Sequence, residues 1–265
     1  MSVNDKLTAI ADAIREKTGN TDKLTLDRMA EEIRDIGIGD DYYNKFWDAF
    51  QNDVVIYSYL FAGRGWSDLT FAPKYDITVG NTSAIAMFSN TKITDLEAIL
   101  ERQGVTLDIS LANRADSMFS DSRSMTVIPA LVLGENLTNA TGMFFGCRDL
   151  KIIRSLTLPE KAVKLTNAFG NCANLEEIEL VGKLLGDLDL QWSTKLSRNS
   201  IESVLTAADE SVFVEGGVPH FTVTLPLVAV NKAFETSEGA NDGIESDWWK
   251  SQVENTSSYY TIALI

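Results

Sequence analysis

The sequence predicts an α+β protein: a central solenoid with one short strand per roughly 25-residue repeat, N-terminal helices ahead of it and an α/β cap after it. Three observations predict this. Phe119, Phe144 and Phe169 recur at steps of 25 residues. The frames they open match: Phe119, Ser122, Met125, Ile128; Phe144, Cys147, Leu150, Ile153; and Phe169, Cys172, Leu175, Ile178. Finally, the chain returns to the last two phenylalanines through the same four residues, Leu-Thr-Asn-Ala, at 137–140 and at 165–168.

Each position in the frame has a physical task. A coil stacked on its neighbour must fill the same interior shell on every rung, which suits Phe at 0 and Leu, Met or Ile at +6 and +9. Ser or Cys at +3 suits a corner too tight for a large side chain. After +9 the segments Ala130–Gly134 and Ser155–Pro159 read as short strands, the second alternating apolar and polar residues as a half-buried strand does. An earlier, degraded copy runs from Met87 and Phe88 through Thr91 and Ile93 to Leu96. Its Phe lies 31 residues before Phe119, so this rung carries an insertion, read as a short helix at 95–103. A weaker late copy holds Leu188, Leu190 and Trp192. A period of about 20–29 residues with one strand per turn is the leucine-rich-repeat signature, and atypical end rungs are expected where an open core must be capped.

The run Phe-x-x-Cys-x-x-Leu-x-x-Ile, then Leu-x-Leu-Pro and Ala-Phe, resembles the BspA-type leucine-rich repeats of bacterial surface proteins and of phages infecting Gram-positive bacteria; Phe119–Leu180 carries it. The flanks resemble companions of those repeats in phage and prophage virion proteins: Asn4–Ile14 with Lys23–Asp27 and Met29, Tyr43–Gln51 with Phe71–Ile77, and Leu196–Ile201 ahead of Phe221–Leu225. Ser122 departs from the family's Cys, and the array is shorter than many. The resemblance implies a non-enzymatic structural or adhesion protein of tail fibre, head fibre or baseplate. It would present a repeat surface to a host-surface protein or glycan, or to other virion proteins. It brings no catalytic residues. The alternatives are an intracellular phage effector that binds a host defence protein and a bacterial cell-surface adhesin.

Four segments follow from the pattern. Residues 1–38 read as two helices, with Leu7, Ile10, Ala11 and Ile14 forming one apolar stripe and Met29, Ile33 and Ile36 another. Two short helices bury little area alone, so this segment is expected to dock on a partner or make a homo-oligomer. Residues 39–85 form the N-terminal cap, with a Tyr43, Phe46, Trp47, Phe50 helix stripe and Trp66 read as core. Residues 86–195 hold the repeats. Residues 196–265 form the C-terminal cap, with helices at 200–208, 229–234 and 247–253 and strands at 221–225 and 260–264.

Composition narrows the function. Hydrophobic content of 45% suits a sizeable core, and Lys plus Arg number 23 against 38 Asp plus Glu, a net charge of −15. With no basic run, neither nucleic acid nor an anionic membrane is an expected partner. No apolar run reaches membrane length, and Met1-Ser-Val-Asn-Asp5 has neither the basic start nor the apolar middle of a signal peptide. A virion protein assembled in the bacterial cytoplasm fits; the alternative location is the host cytoplasm.

Candidate chemistry is sparse. Cys147 and Cys172 share a repeat position and read as small, reduced corner residues, although adjacent strands would bring the pair near disulfide reach. Two cysteines and one histidine cannot make a tetrahedral metal site. His220, the one histidine, follows a Gly-Gly-Val-Pro turn with no nucleophile elbow in the chain. Gly182-Lys183 lacks a phosphate-loop glycine, and Asn241-Asp-Gly243 lacks the ligand spacing of a calcium loop. Glu177 and Glu179 flank Ile178 on a strand and should face solvent rather than each other across a groove. No catalytic, cofactor or metal site is therefore expected.

Overall fold

The computed structural model describes residues 12, 57–63, 66–68, 71–210, 220–234 and 260–265. The chain divides into two compact units, Met1–Val54 and Val55–Ile265. Asp12, helical and exposed, is the described residue of the first unit. The rest of the 1–38 helices, the Tyr43–Phe50 stripe, the 235–247 acidic stretch and the 247–253 helix lie outside the described residues.

In the second unit the elements are β1 (Ile77–Thr78), α1 (Leu96–Gln103), β2 (Leu107–Asp108), β3 (Val127–Ile128), β4 (Leu131–Val132), β5 (Ile152–Thr157), β6 (Glu177–Val181), β7 (Leu188–Asp189), α2 (Arg198–Glu210), β8 (Phe221–Leu225), α3 (Leu227–Phe234) and β9 (Tyr260–Leu264). Among the described residues every strand pair is parallel: β1 with β2, β3 and β4 with β5, β5 with β6, β7 with β8, and β8 with β9. The register follows the repeat. Val127 faces Ile152 and Leu131 faces Leu156, each 25 residues on. The sequence reads Ala130–Gly134 as a strand, and β4 covers Leu131–Val132 of it; a further short strand, β3, lies ahead of it, set apart by Pro129, which has no N–H to give to the ladder. Between Ile153 and Leu156 the β5–β6 register slips, a bulge that sets two residues of β5 against one of β6.

The core is a column of rings. Phe61, Phe88, Phe119, Phe144 and Phe169 stack face to face with centroids 5.1, 5.4, 5.6 and 5.3 Å apart, all fully buried. Each stacked pair adds about 0.5–1.5 kcal/mol beyond its area term. Trp66 and Phe71 meet the first ring edge-on at 5.7 and 5.1 Å. In the late copy Leu190 takes the place of Phe, followed by Ser193 at +3 and Leu196 at +6, all buried.

The rings align because the backbone beneath them repeats in detail. The N–H groups of Ala115, Ser117, Phe119 and Asp121 donate to the carbonyls of Asn139, Thr141, Met143 and Phe145 at 2.7–2.9 Å. Ala140, Gly142, Phe144 and Gly146 donate in the same way to Lys164, Thr166, Ala168 and Gly170 at 2.8–3.0 Å. The residues between close turns inside their own rung, as Met118 to Ala115, Ser120 to Ser117 and Ser122 to Phe119. This split needs left-handed backbone two residues before and two after each ring. The pairs are Tyr59/Gly63, Ala86/Asn90, Ser117/Asp121, Gly142/Gly146 and Asn167/Asn171, with φ between 50° and 114°. The later member is always Gly, Asn or Asp, the residues that tolerate this conformation best.

Two devices interrupt or end the ladder. The insertion folds as α1, whose Asp95 side chain accepts from the Ala98 N–H at 2.9 Å and whose Gly104 closes the helix at φ 66°. At the other end α2 covers the free edge of β6. Ser200 Oγ accepts from the Ile178 N–H at 2.9 Å, and Ser203 Oγ accepts from the Leu180 N–H at 2.6 Å, standing in for a further strand.

Gly146 tests the corner. An added Cβ there would lie 2.8 Å from Asp121 Oδ1, on a backbone at φ 76°. Gly146→Ala is expected to lower the unfolding free energy by at least about 1–2 kcal/mol. Ala86→Gly, which relieves φ 50°, is expected not to lower it. Urea titrations of both variants check the pair.

Candidate binding surface

Inside the corner, the +3 column is a row of proton donors and not merely of small residues. Ser122 Oγ donates to the Phe88 carbonyl at 2.6 Å, Cys147 Sγ to Phe119 at 3.0 Å, Cys172 Sγ to Phe144 at 3.1 Å and Ser193 Oγ to Cys172 at 3.3 Å. Thr91 holds the same place on the first copy and shares a contact with Ser122 Oγ at 3.2 Å. The signal was present in the sequence: all five residues carry an O–H or S–H, and none is Ala. Both cysteines are free and buried. Burial pushes the Cys147 thiol well up and the Cys172 thiol to about 12.

The other residues singled out from sequence sit apart from one another. His220 is exposed at the start of β8 and its Nε2 shares a hydrogen bond with Thr261 Oγ1 at 2.8 Å. Glu177 and Glu179 point to solvent from β6 while Ile178 and Leu180 are buried. Among the described residues no three His, Cys, Asp or Glu side chains gather at metal-binding distance. No helix of the described residues is long and apolar enough to cross a membrane.

What the fold does assemble is surface. Since each rung repeats one path, an exposed position stands beside its equivalent on the next rung. On the strand face Val127, Ile152 and Glu177 share one column, and Val132, Thr157 and Val181 another. Val132 and Val181 are 49% and 42% exposed. Arg154 reaches from this face to Glu97 on α1 at 2.7 Å, and that hydrogen bond raises the guanidinium pKa further.

The neighbouring face runs along the corner. Lys92, Arg123 and Arg148 hold the +4 position on successive rungs, all exposed. They are 31 and 25 residues apart in sequence, which is why no basic run is visible there. Polar bonds tie the corner together: Asp149 N–H to the Arg123 carbonyl at 3.2 Å, Asn174 Nδ2 to the Arg148 carbonyl at 2.8 Å and Lys195 Nζ to Asn174 Oδ1 at 2.6 Å. Arg123 also pairs with Asp121 at 3.3 Å. Trp192, at +2 of the last rung, is 49% exposed.

The thiols give a pH test. In the folded chain they stay protonated, whereas the unfolded chain ionises its cysteines from roughly pH 8.5. The stability this contributes is complete below that pH and is lost as pH rises toward about 12 for Cys172. Thermal unfolding at pH 7 and pH 10 should show a drop that shrinks in a Cys147→Ser, Cys172→Ser variant. The variant itself should fold, since Ser122 already makes the same bond, to the carbonyl of Phe88. A disulfide-exchange reagent should label neither thiol until denaturant is added.

No protein-family model matches this chain, and no curated protein and no solved structure is significantly similar to it.

Proposed function

We propose that the chain is a leucine-rich-repeat solenoid of the BspA type, acting without catalysis as an adhesion or structural component of a phage or prophage virion. The observation that carries the reading is the in-register ladder. Strands pair in parallel at the 25-residue offset of the sequence repeat, over an unbroken stack of five phenylalanines. Such a core spends its chemistry on holding itself straight and offers its outward columns for contact, which is the division of labour of repeat proteins that bind extended partners. The motif resemblance across Phe119–Leu180 supplies the virion setting. In this reading residues 1–38 attach the module to other virion proteins or to copies of itself, and the repeat surface meets the host.

Particles purified from a lysate of the strain carrying the gene provide the test. Mass spectrometry is expected to find this chain at a fixed stoichiometry to the major capsid protein, and the purified chain is expected to bind host cells. Its absence from the particles, with recovery on a soluble host protein instead, would sink the virion reading.

A further inference from the structure

We propose that the corner running from Trp192 back to Arg123 is a glycan-binding strip, with the indole as its stacking platform. The inference rests on the host-contact reading above and names the face and the ligand chemistry. Trp192 sits where earlier rungs place Asn90, Asp121, Gly146 and Asn171, so the last rung puts a large flat ring in a column otherwise small and polar. Half of its surface is exposed, enough for the ring to take the C–H face of a pyranose. Behind it the row continues in side chains with planar hydrogen-bonding heads: Asn171, Asn174, Arg148 and Arg123. Among the described residues the Arg148 guanidinium has no ion-pair or hydrogen-bond partner, leaving its fork of donors for adjacent sugar hydroxyls.

Three features favour a sugar chain over a protein. A protein interface needs an apolar centre, and this strip has one aromatic among polar groups. Asn174, in the middle of the strip, is held in advance by Lys195 Nζ and by the Arg148 carbonyl at 2.6 and 2.8 Å, so its amide loses little freedom on binding a hydrated, flexible polymer. It also repeats: the core rings of successive rungs lie 5.3–5.6 Å apart, so an extended glycan laid along the stack meets a fresh row of side chains every few ångströms. Charge selects further. In a chain of net charge −15 this strip carries Arg123, Arg148 and Lys195 against Asp121 and Asp149, a local excess of positive charge that suits neutral or anionic sugars and disfavours cationic ones.

The test uses the full chain, fluorescently labelled, on host cells and on soluble polysaccharide released from the same cell walls. The wild-type chain is expected to bind the cells, to be displaced by the polysaccharide and to lose binding after periodate oxidation of the cells but not after protease. Trp192→Ala and Arg148→Gln should each weaken binding tenfold or more, while Trp192→Phe retains most of it and all three melt as the wild type does. Undiminished binding by Trp192→Ala, or binding that survives periodate and is lost to protease, overturns the strip and leaves the host-contact reading intact. A wild-type chain that binds no cells and is missing from the particles overturns both.

Discussion

Everything ordered in the repeat region depends on how the corner shares out its N–H groups. A left-handed residue on either side of each ring goes with an alternation of donors, one set closing turns within the rung and the other aimed at the rung that follows. Each such bond is worth only about 0.5–1.5 kcal/mol net. Their value is geometric, because four of them per rung fix the offset so tightly that one phenylalanine ring lands over the next. The ring stack, the thiol and hydroxyl row at +3, and the outward columns all inherit that offset. Left-handed Ala86 and Ser117 show its strength: neither residue favours positive φ, and the ladder holds both there.

Much of this was legible in the chain, for a physical reason. Interior volume must repeat when rungs stack, so Phe at 0 and aliphatic residues at +6 and +9 announce themselves by spacing alone. The late copy was readable as a weak one because Leu190 fills only part of the space of Phe. Conformation was less visible than volume. The Asn, Asp and Gly residues after each ring can be recognised once the frames are aligned, but the positions before it hold Tyr, Ala, Ser, Gly and Asn, which share no intrinsic preference. Tertiary context overrides propensity there.

Features of the surface and the end were hidden because they join residues far apart in the chain. The apolar side of α2 reads from Ile201, Val204 and Leu205, whereas the role of Ser200 and Ser203 exists only because β6 lies against them, 22 and 23 residues back. The line of Lys92, Arg123 and Arg148 has the same character: a charge pattern with the period of the fold, invisible to any window shorter than a repeat. The interaction surface of a stacked protein is written at the repeat period, and the core and the candidate contact strip are therefore read by the same ruler.

The way the stack ends at α2 bears on how such a protein changes over time. Two serine hydroxyls take the donors of β6, so the sheet built from β3 to β6 is ended by a local device and not by any feature of the rungs before it. Upstream, Phe119 to Phe144 and Phe144 to Phe169 are alike in offset, in ring contact and in the thiol bond that crosses between rungs. Copying or deleting one whole unit there would leave every junction of a type already present. Reach is thus a quantity that recombination can adjust in single steps, with the terminating helix carried along unchanged.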